Sequence, residues 1–411
     1  MGQEDLIAGA IGAIVDAGQL AGAATLVWRP RNVIQSVCVG WRDIEARLPI
    51  ERDTIFRIAS MTKPITSVAA LMLFEEGRFA LDDPIVTWAP EFAAMRVLRS
   101  PTGPLDDTDP AERPITFDDL LTHRSGITYG AFHAGPIAKV YADALGGDID
   151  SHVAPDDWIA GLAALPLIDQ PGAAFHYGHS TDLLGLLIAR IEDAPLGDVL
   201  EQRIFSPLGM KDTGFIVPRE KRHRRAALYG FDEKGMLTRR LTATGGSTLP
   251  ERPENMAYVS GGAGLWSTSN DYLAFARMFV EHGVVDGVRL LRPETLALMT
   301  SNQLTDSQRA KPATFGRRTF AAGHGFGMGV AVVLEPEKAA PTLCGGGVGA
   351  VGWPGAWGGW WQADPNDGSV LIFLTHNIVE LEQLTAGVGL EVFSAITQFQ
   401  RLASTQLPVG D

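Results

Sequence analysis

A chain of 411 residues is long for a single hydrophobic core and predicts two lobes. Its hydrophobic fraction of 45% and charged fraction of 20% are those of an ordinary globular protein and exclude extensive disorder. With 34 basic against 48 acidic residues the net charge is -14, which argues against a nucleic-acid partner, and two cysteines, Cys38 and Cys344, exclude a disulfide framework.

The opening Met1-Gly2-Gln3-Glu4-Asp5-Leu6 is acidic and lacks the basic region and long apolar run of a secretory signal, so a cytoplasmic location is expected. No run of about eighteen apolar residues occurs, so no membrane span is predicted. Residues 4–18 place Leu6, Ile7, Ile11, Ile14 and Val15 at helical spacing, and 21–28 reads as a strand. A second strand, 33–40, follows the turn Arg29-Pro30-Arg31-Asn32, and such close succession predicts an antiparallel hairpin.

Residues 54–58 then lead into Ser60-Met61-Thr62-Lys63. Behind it Ile65, Val68, Ala69, Met72 and Leu73 recur at helical spacing until Gly77, a residue type that favours a helix end. Pro64 fits only the first turn of a helix, which confines Ser60 and Lys63 to that turn. A helix advances about 100° per residue, so the Lys63 ammonium can curl back towards the Ser60 hydroxyl. A serine with a base one turn away is an activated nucleophile in outline, and unpaired N–H groups at the helix start favour a developing oxyanion. The same serine also fits as an ordinary N-cap, so the tetrapeptide alone leaves both readings open.

From Leu81-Asp82-Asp83-Pro84 to about residue 250, helix-like stretches dominate: 117–122, 137–145, 155–165, 180–192 and 196–205. The basic run 219–225 lacks interleaved aromatics and reads as a solvated rim. Beyond Ser260-Gly261-Gly262-Ala263-Gly264-Leu265, helices are expected at about 269–282 and 293–300. Strands follow at 327–334, 349–363 and 369–374, and a helix at about 380–403 closes the chain. Strands at both chain ends with a helical middle predict an α/β (α+β) fold: a central antiparallel sheet built from both termini and flanked by helices. The expected division is a sheet domain of 1–84 and 255–411 with an inserted, mostly helical domain of 85–254, and substrate in the cleft between them.

Two further stretches carry chemistry. In 171–185 a Pro171-Gly172 turn delivers Tyr177 into a loop before a helix that starts near Ser180. A tyrosine beside a lysine can be held partly as phenolate, but it can equally be a ring packed under a helix start. In 350–365 several glycines interrupt a strand-like run that holds Trp353, Trp357, Trp360 and Trp361. Glycine there marks close approach to the backbone, and Gly355 beside the N–H of Ala356 would suit an acyl group lying along a strand edge. The tryptophans also suit a core or an aromatic lining.

Ser60-Met61-Thr62-Lys63, Tyr177-Gly178-His179 and Trp353-Pro354-Gly355, in that order and at those separations, resemble the three motifs of the serine β-lactamase and penicillin-binding-protein superfamily. The pattern is most similar to the class C β-lactamase-like branch that includes the family VIII carboxylesterases. Supporting blocks are 56–63, 115–126, 205–213 and 261–267, so the resemblance covers about residues 5–400.

The resemblance implies an acyl-enzyme hydrolase without metal or other cofactor, acting on a small-molecule ester, or on an amide or lactam. Ser60 would attack the carbonyl carbon, Lys63 would take its proton, and Tyr177 would relay a proton to the leaving group. The backbone N–H groups of Ser60 and Ala356 would form the oxyanion hole, while Trp353, Gly355, His179 and Trp357 would bind substrate. Free lysine, with a pKa near about 10.4, is a poor base at neutral pH, and either Lys63 or Tyr177 could be the formal base.

Two departures from the superfamily pattern shape the expected substrate. Where lactamases and peptidases carry Lys-Thr-Gly, this chain has Trp353-Pro354-Gly355. A charge-assisted hydrogen bond of about 1.5–3 kcal/mol to a substrate carboxylate is thereby lost, roughly ten- to a hundredfold in affinity, and an apolar wall is gained. His179 replaces the usual asparagine and reads as a lining residue. The absence of Gly-x-Ser-x-Gly, of His-Glu-x-x-His, of Cys-x-x-Cys and of a glycine-rich phosphate loop leaves other hydrolase, metal and nucleotide readings without support. A carboxylesterase is therefore expected. The alternatives are a β-lactamase, D-amino acid peptidase, amidase or acyltransferase of the same fold, or a binding module without turnover.

Overall fold

The computed structural model describes residues 3–147, 149–241, 256–311, 320 and 322–405, so the expected domain boundary at 254/255 lies outside the described residues. Five helices and eight strands frame the site: α1 (Gln3–Asp16), α2 (Thr62–Glu75), α3 (Ser180–Glu192), α4 (Ser269–Ala276) and α5 (Leu390–Thr405), with β1 (Gly22–Arg29), β2 (Asn32–Asp43), β3 (Leu48–Pro49), β4 (His324–Phe326), β5 (Ala331–Val333), β6 (Val351–Gly352), β7 (Trp360–Asp364) and β8 (Ser369–Leu374). The strands form one sheet in the order β4-β5-β6-β7-β8-β1-β2-β3, every neighbouring pair antiparallel.

The two chain ends meet at the β1–β8 pairing, which runs from Ala24 opposite Leu374 to Trp28 opposite Val370. Because successive side chains alternate between faces, these two strands feed two cores. Val27, Leu371 and Phe373 pack under the terminal helices, against Ile7 and Ile11 of α1 and Ile396 and Phe399 of α5. Leu26, Trp28, Val370 and Ile372 face the other way, into the large core that takes in Ile65, Val68 and Leu71 of α2 and Leu183, Leu184 and Leu187 of α3. Helix α2 is consequently buried over most of its length, its polar Thr62, Lys63, Thr66 and Ser67 included.

Helices recur through the middle of the chain, at Phe117–Leu121, Pro136–Leu145, Pro155–Ala163 and α3, close to their expected positions. The stretch 196–205 is less regular: the helix of Leu196–Leu200 continues as a π turn over Glu201–Phe205. The basic run forms a short 3-10 helix, Arg219–Arg224, tied to the surface by Lys221 and Arg224 on Asp212.

Three expectations for the C-terminal part need correction. The run 327–334 is a turn entering β5, preceded by β4, because Gly327 and Gly329 build a hairpin in which the Gly327 N–H reaches the Val330 carbonyl. The run 349–363 is two strands, β6 and β7, joined by a loop over residues 353–359. The closing helix is interrupted between Leu381–Thr385 and α5, where Gly387 and Gly389 both take positive φ. Among the described residues no helix is long and apolar enough to cross a membrane.

Candidate active site

Ser60 sits in a 3-10 turn, Ala59–Met61, that runs directly into α2. The turn is pinned upstream by a short antiparallel pairing of Phe56–Arg57 with Trp266–Ser267 and by the Ile58 N–H on the Leu265 carbonyl at 3.0 Å. Ala59 adopts φ 45°, a left-handed conformation that costs a non-glycine residue about 1 kcal/mol and is held here by the packing of Ala59 against Trp357. The residue before the serine is thus strained while Ser60 itself is 8% exposed.

Lys63 is fully buried and its ammonium nitrogen has three oxygen neighbours: Ser60 Oγ at 3.4 Å, Tyr129 OH at 3.1 Å and the Gly262 carbonyl at 2.9 Å. The segment 260–265 lies along α2, with Thr66 Oγ1 donating to the Gly261 carbonyl and the Leu265 N–H donating to Thr62 Oγ1. Gly262 belongs to that segment, and its position is set by a buried carboxylate. Asp182 Oδ1 accepts the Gly262 N–H and the Ser260 hydroxyl, and Oδ2 pairs with His179 Nδ1 at 3.1 Å. Burial by itself raises the Asp182 carboxyl, but the hydrogen bond and charge of His179, the charge of Lys63 and the Ser260 hydroxyl outweigh it and hold the group below its ordinary range.

Tyr177 is brought to the same place, with the face of its ring 4.5 Å from Lys63 Nζ. Its phenol oxygen accepts the indole N–H of Trp353 at 2.9 Å. Below the ring lies His123 at 5.0 Å, in a left-handed turn at φ 53° and bonded through Nε2 to Thr181 at the start of α3. Burial first, and then the Lys63 charge, push His123 well below the usual imidazole range, so the ring under Tyr177 is neutral.

The loop between β6 and β7 closes another side. A Cβ on Gly355 would stand 2.5 Å from the Ile58 carbonyl, so the absence of a side chain lets this loop lie against the Ser60 turn. Ala356 is at an exposed tip, and its N–H reaches no acceptor among the described residues. It stands in a turn closed by the Gly358 N–H on the Gly355 carbonyl, not on the strand edge that the sequence suggests. Trp353 is 4% exposed and packs with Tyr177, Phe175 and Phe326.

Two of the expected substrate-binding residues are buried in the protein interior. His179 has no exposed surface and meets the edge of the Tyr129 ring at 4.4 Å, so it reaches the site through Tyr129 and Asp182. Trp357 is 1% exposed, packed between Ala59 and Ile378. Conversely, sequence reasoning missed Tyr129, whose phenol touches Lys63. Its one trace in the sequence is Gly178: a Cβ there would stand 2.3 Å from the Thr128 backbone, so the segment carrying Tyr129 lies directly on the Tyr177–His179 turn. Among the described residues no group of three or more His, Cys, Asp or Glu could hold a metal ion.

Comparison with known proteins gives a coherent picture. The family model described as Beta-lactamase matches residues 7–382. An uncharacterized protein of Mycobacterium tuberculosis is 45% identical over 368 residues, covering 90% of this chain and 88% of that protein. The esterase EstB of Burkholderia gladioli is 30% identical over 374 residues, covering 88% and 87%. Among solved structures, EstCE1, described as a hydrolase with promiscuous acyltransferase activity, superposes with a TM-score of 0.75 at 25% identity, covering 96% of this chain and 98% of that one.

Proposed function

The chain belongs to the beta-lactamase family, a fold family of serine hydrolases and acyltransferases, and from that premise we propose that it is a carboxylesterase working through an acyl-Ser60 intermediate. The observation that carries the reading is the buried Lys63 amine 3.4 Å from the Ser60 hydroxyl at the head of α2. In this reading Lys63 accepts the Ser60 proton as Oγ bonds to the ester carbonyl carbon, and the carbonyl electrons move onto oxygen. The Ser60 and Ala356 N–H groups receive that oxyanion. Collapse expels the alkoxide, which takes the phenol proton of Tyr177 while the Lys63 ammonium returns its proton to the phenolate, and water then repeats the sequence in the place of Ser60 to release the acid.

The wall of the site argues for a neutral substrate. At the position where relatives with lactamase or peptidase chemistry would offer a cation, Trp353 presents an indole whose N–H is already given to Tyr177. Trp353 and Gly355 would contact the acyl group, with Trp357 and His179 supporting the wall from behind. The similarity to EstB favours ester hydrolysis, and the similarity to EstCE1 keeps acyl transfer to an added alcohol as the second reading.

The test is turnover of p-nitrophenyl butyrate against nitrocefin. Rapid ester hydrolysis with little lactam cleavage is expected; fast nitrocefin turnover with an inert butyrate would make the protein a lactamase. Mass spectrometry after fluorophosphonate treatment should find one adduct, on Ser60, and a folded protein that takes no adduct there would be a binding module. Product analysis with an added alcohol separates hydrolysis from transfer.

A further inference from the structure

The proposed acylation requires Lys63 as a neutral amine with its lone pair aimed at the Ser60 hydroxyl. A neutral amine has two N–H bonds to place and one lone pair, whereas the ammonium has three N–H bonds. Around Lys63 Nζ stand three oxygens, and only one of them belongs to the nucleophile: Ser60 Oγ at 3.4 Å, against Tyr129 OH at 3.1 Å and the Gly262 carbonyl at 2.9 Å. Resting on the Ser60–Lys63 reading, we propose that Tyr129 is a positioning residue for the base: its phenol oxygen and the Gly262 carbonyl take the two N–H bonds of neutral Lys63, which leaves the lone pair directed at Ser60.

The proton balance is simple. The Ser60 Oγ–H bond breaks, an Nζ–H bond forms on Lys63, and Oγ bonds to the substrate carbon. The new ammonium then places its three N–H bonds on the same three oxygens, so no group has to turn during the step. Tyr129 exchanges no proton in this sequence.

The surroundings hold Tyr129 for this task. Its ring is 9% exposed and meets Phe132, Tyr177 and His179 edge-on, at 5.5, 5.6 and 4.4 Å. Both acceptors of Lys63 lead back to one carboxylate: Asp182 binds the Gly262 N–H directly and fixes His179, against whose ring Tyr129 is seated. The two phenols at Lys63 are therefore differently engaged, since that of Tyr177 accepts from Trp353 while its ring faces the amine. In this division Tyr129 serves the attack and Tyr177 the departure of the leaving group.

The division can be read from leaving-group dependence. Tyr129→Phe, which keeps the ring, should lower the single-turnover acylation rate by about tenfold to a hundredfold. The factor should be the same for an activated p-nitrophenyl ester and a poor-leaving-group alkyl ester, with KM within about twofold. Tyr177→Phe should penalise the alkyl ester more than the activated one. Fluorophosphonate labelling of Ser60, read below the unfolding transition of either protein, should slow in Tyr129→Phe as acylation does, even if that variant is less stable. Acylation and labelling within twofold of the parent, or a loss confined to KM, would overturn the proposal. Ser60→Ala run alongside separates the two levels: if it retains ester turnover, the nucleophile reading fails, whereas an inert Ser60→Ala beside a fully active Tyr129→Phe removes only the role of Tyr129.

Discussion

Lys63 is buried completely among three oxygens, with the face of one tyrosine ring against it, and in the proposed mechanism it has no function apart from Ser60. Groups that act as a unit lose most of the rate when either is removed, so Ser60→Ala and Lys63→Ala should each lower ester turnover by at least about a thousandfold. Steady-state hydrolysis of p-nitrophenyl butyrate measures this, and retention of most activity by either variant removes the mechanism. At this scale the approach of Lys63 to Ser60 was legible, because a three-residue spacing at a helix start marks it. Tyr129 was not legible, because nothing in its neighbourhood in sequence reports that it ends 3.1 Å from Lys63 Nζ. The depth of His179 was hidden for the same reason. A polar side chain in a motif suggests a lining residue until its carboxylate partner, Asp182, and the rings around it are seen.

The loop at 353–359 is the element that sequence reasoning read least well. Its tryptophans and glycines look like one long buried strand, since burial and not strand geometry sets the apolar pattern, and a loop folded back into the interior carries the same pattern. What holds it in place is contact between backbones: Gly355 lies on Ile58, and the Gly355 N–H reaches the Gly359 carbonyl at 2.7 Å. Gly355→Ala would set a Cβ against the Ile58 carbonyl, so the loop must move off the Ser60 turn. The expected result is a stability loss of about 1–3 kcal/mol, with ester kcat/KM down by about tenfold or more as Ala356, the proposed second oxyanion donor, moves. Thermal melting and steady-state kinetics would check both, and activity within twofold of the parent would show that the loop does not shape the site.

Over the whole molecule, buried neutral histidines couple stability to pH. His376, 6% exposed, gives its Nδ1 side to the Ala226 carbonyl, and burial, reinforced by the charge of Arg57 and opposed by that hydrogen bond, brings its pKa from 6.5 down to about 4. His123 and His324 are lowered as well, chiefly by burial. Between about pH 4 and 6.5 the unfolded chain binds a proton at His376 that the native protein does not, so stability rises with pH there, by at most about 1.4 kcal/mol per pH unit per group. The His376 contribution is fully present above pH 6.5 and is lost as pH falls towards 4. Urea unfolding from pH 7 to 5 should show falling stability, and His376→Gln should show a shallower fall; identical slopes would contradict the assignment. The sequence by itself determined the sheet drawn from both chain ends, the helical middle and the serine–lysine turn, because apolar periodicity and motif spacing are local properties that survive in one dimension. Only the tertiary structure decided which phenol touches the lysine, that Trp357 packs against Ala59 and that the Trp353 loop is no strand, because those outcomes depend on contacts between segments far apart in the chain whose closeness no local pattern encodes.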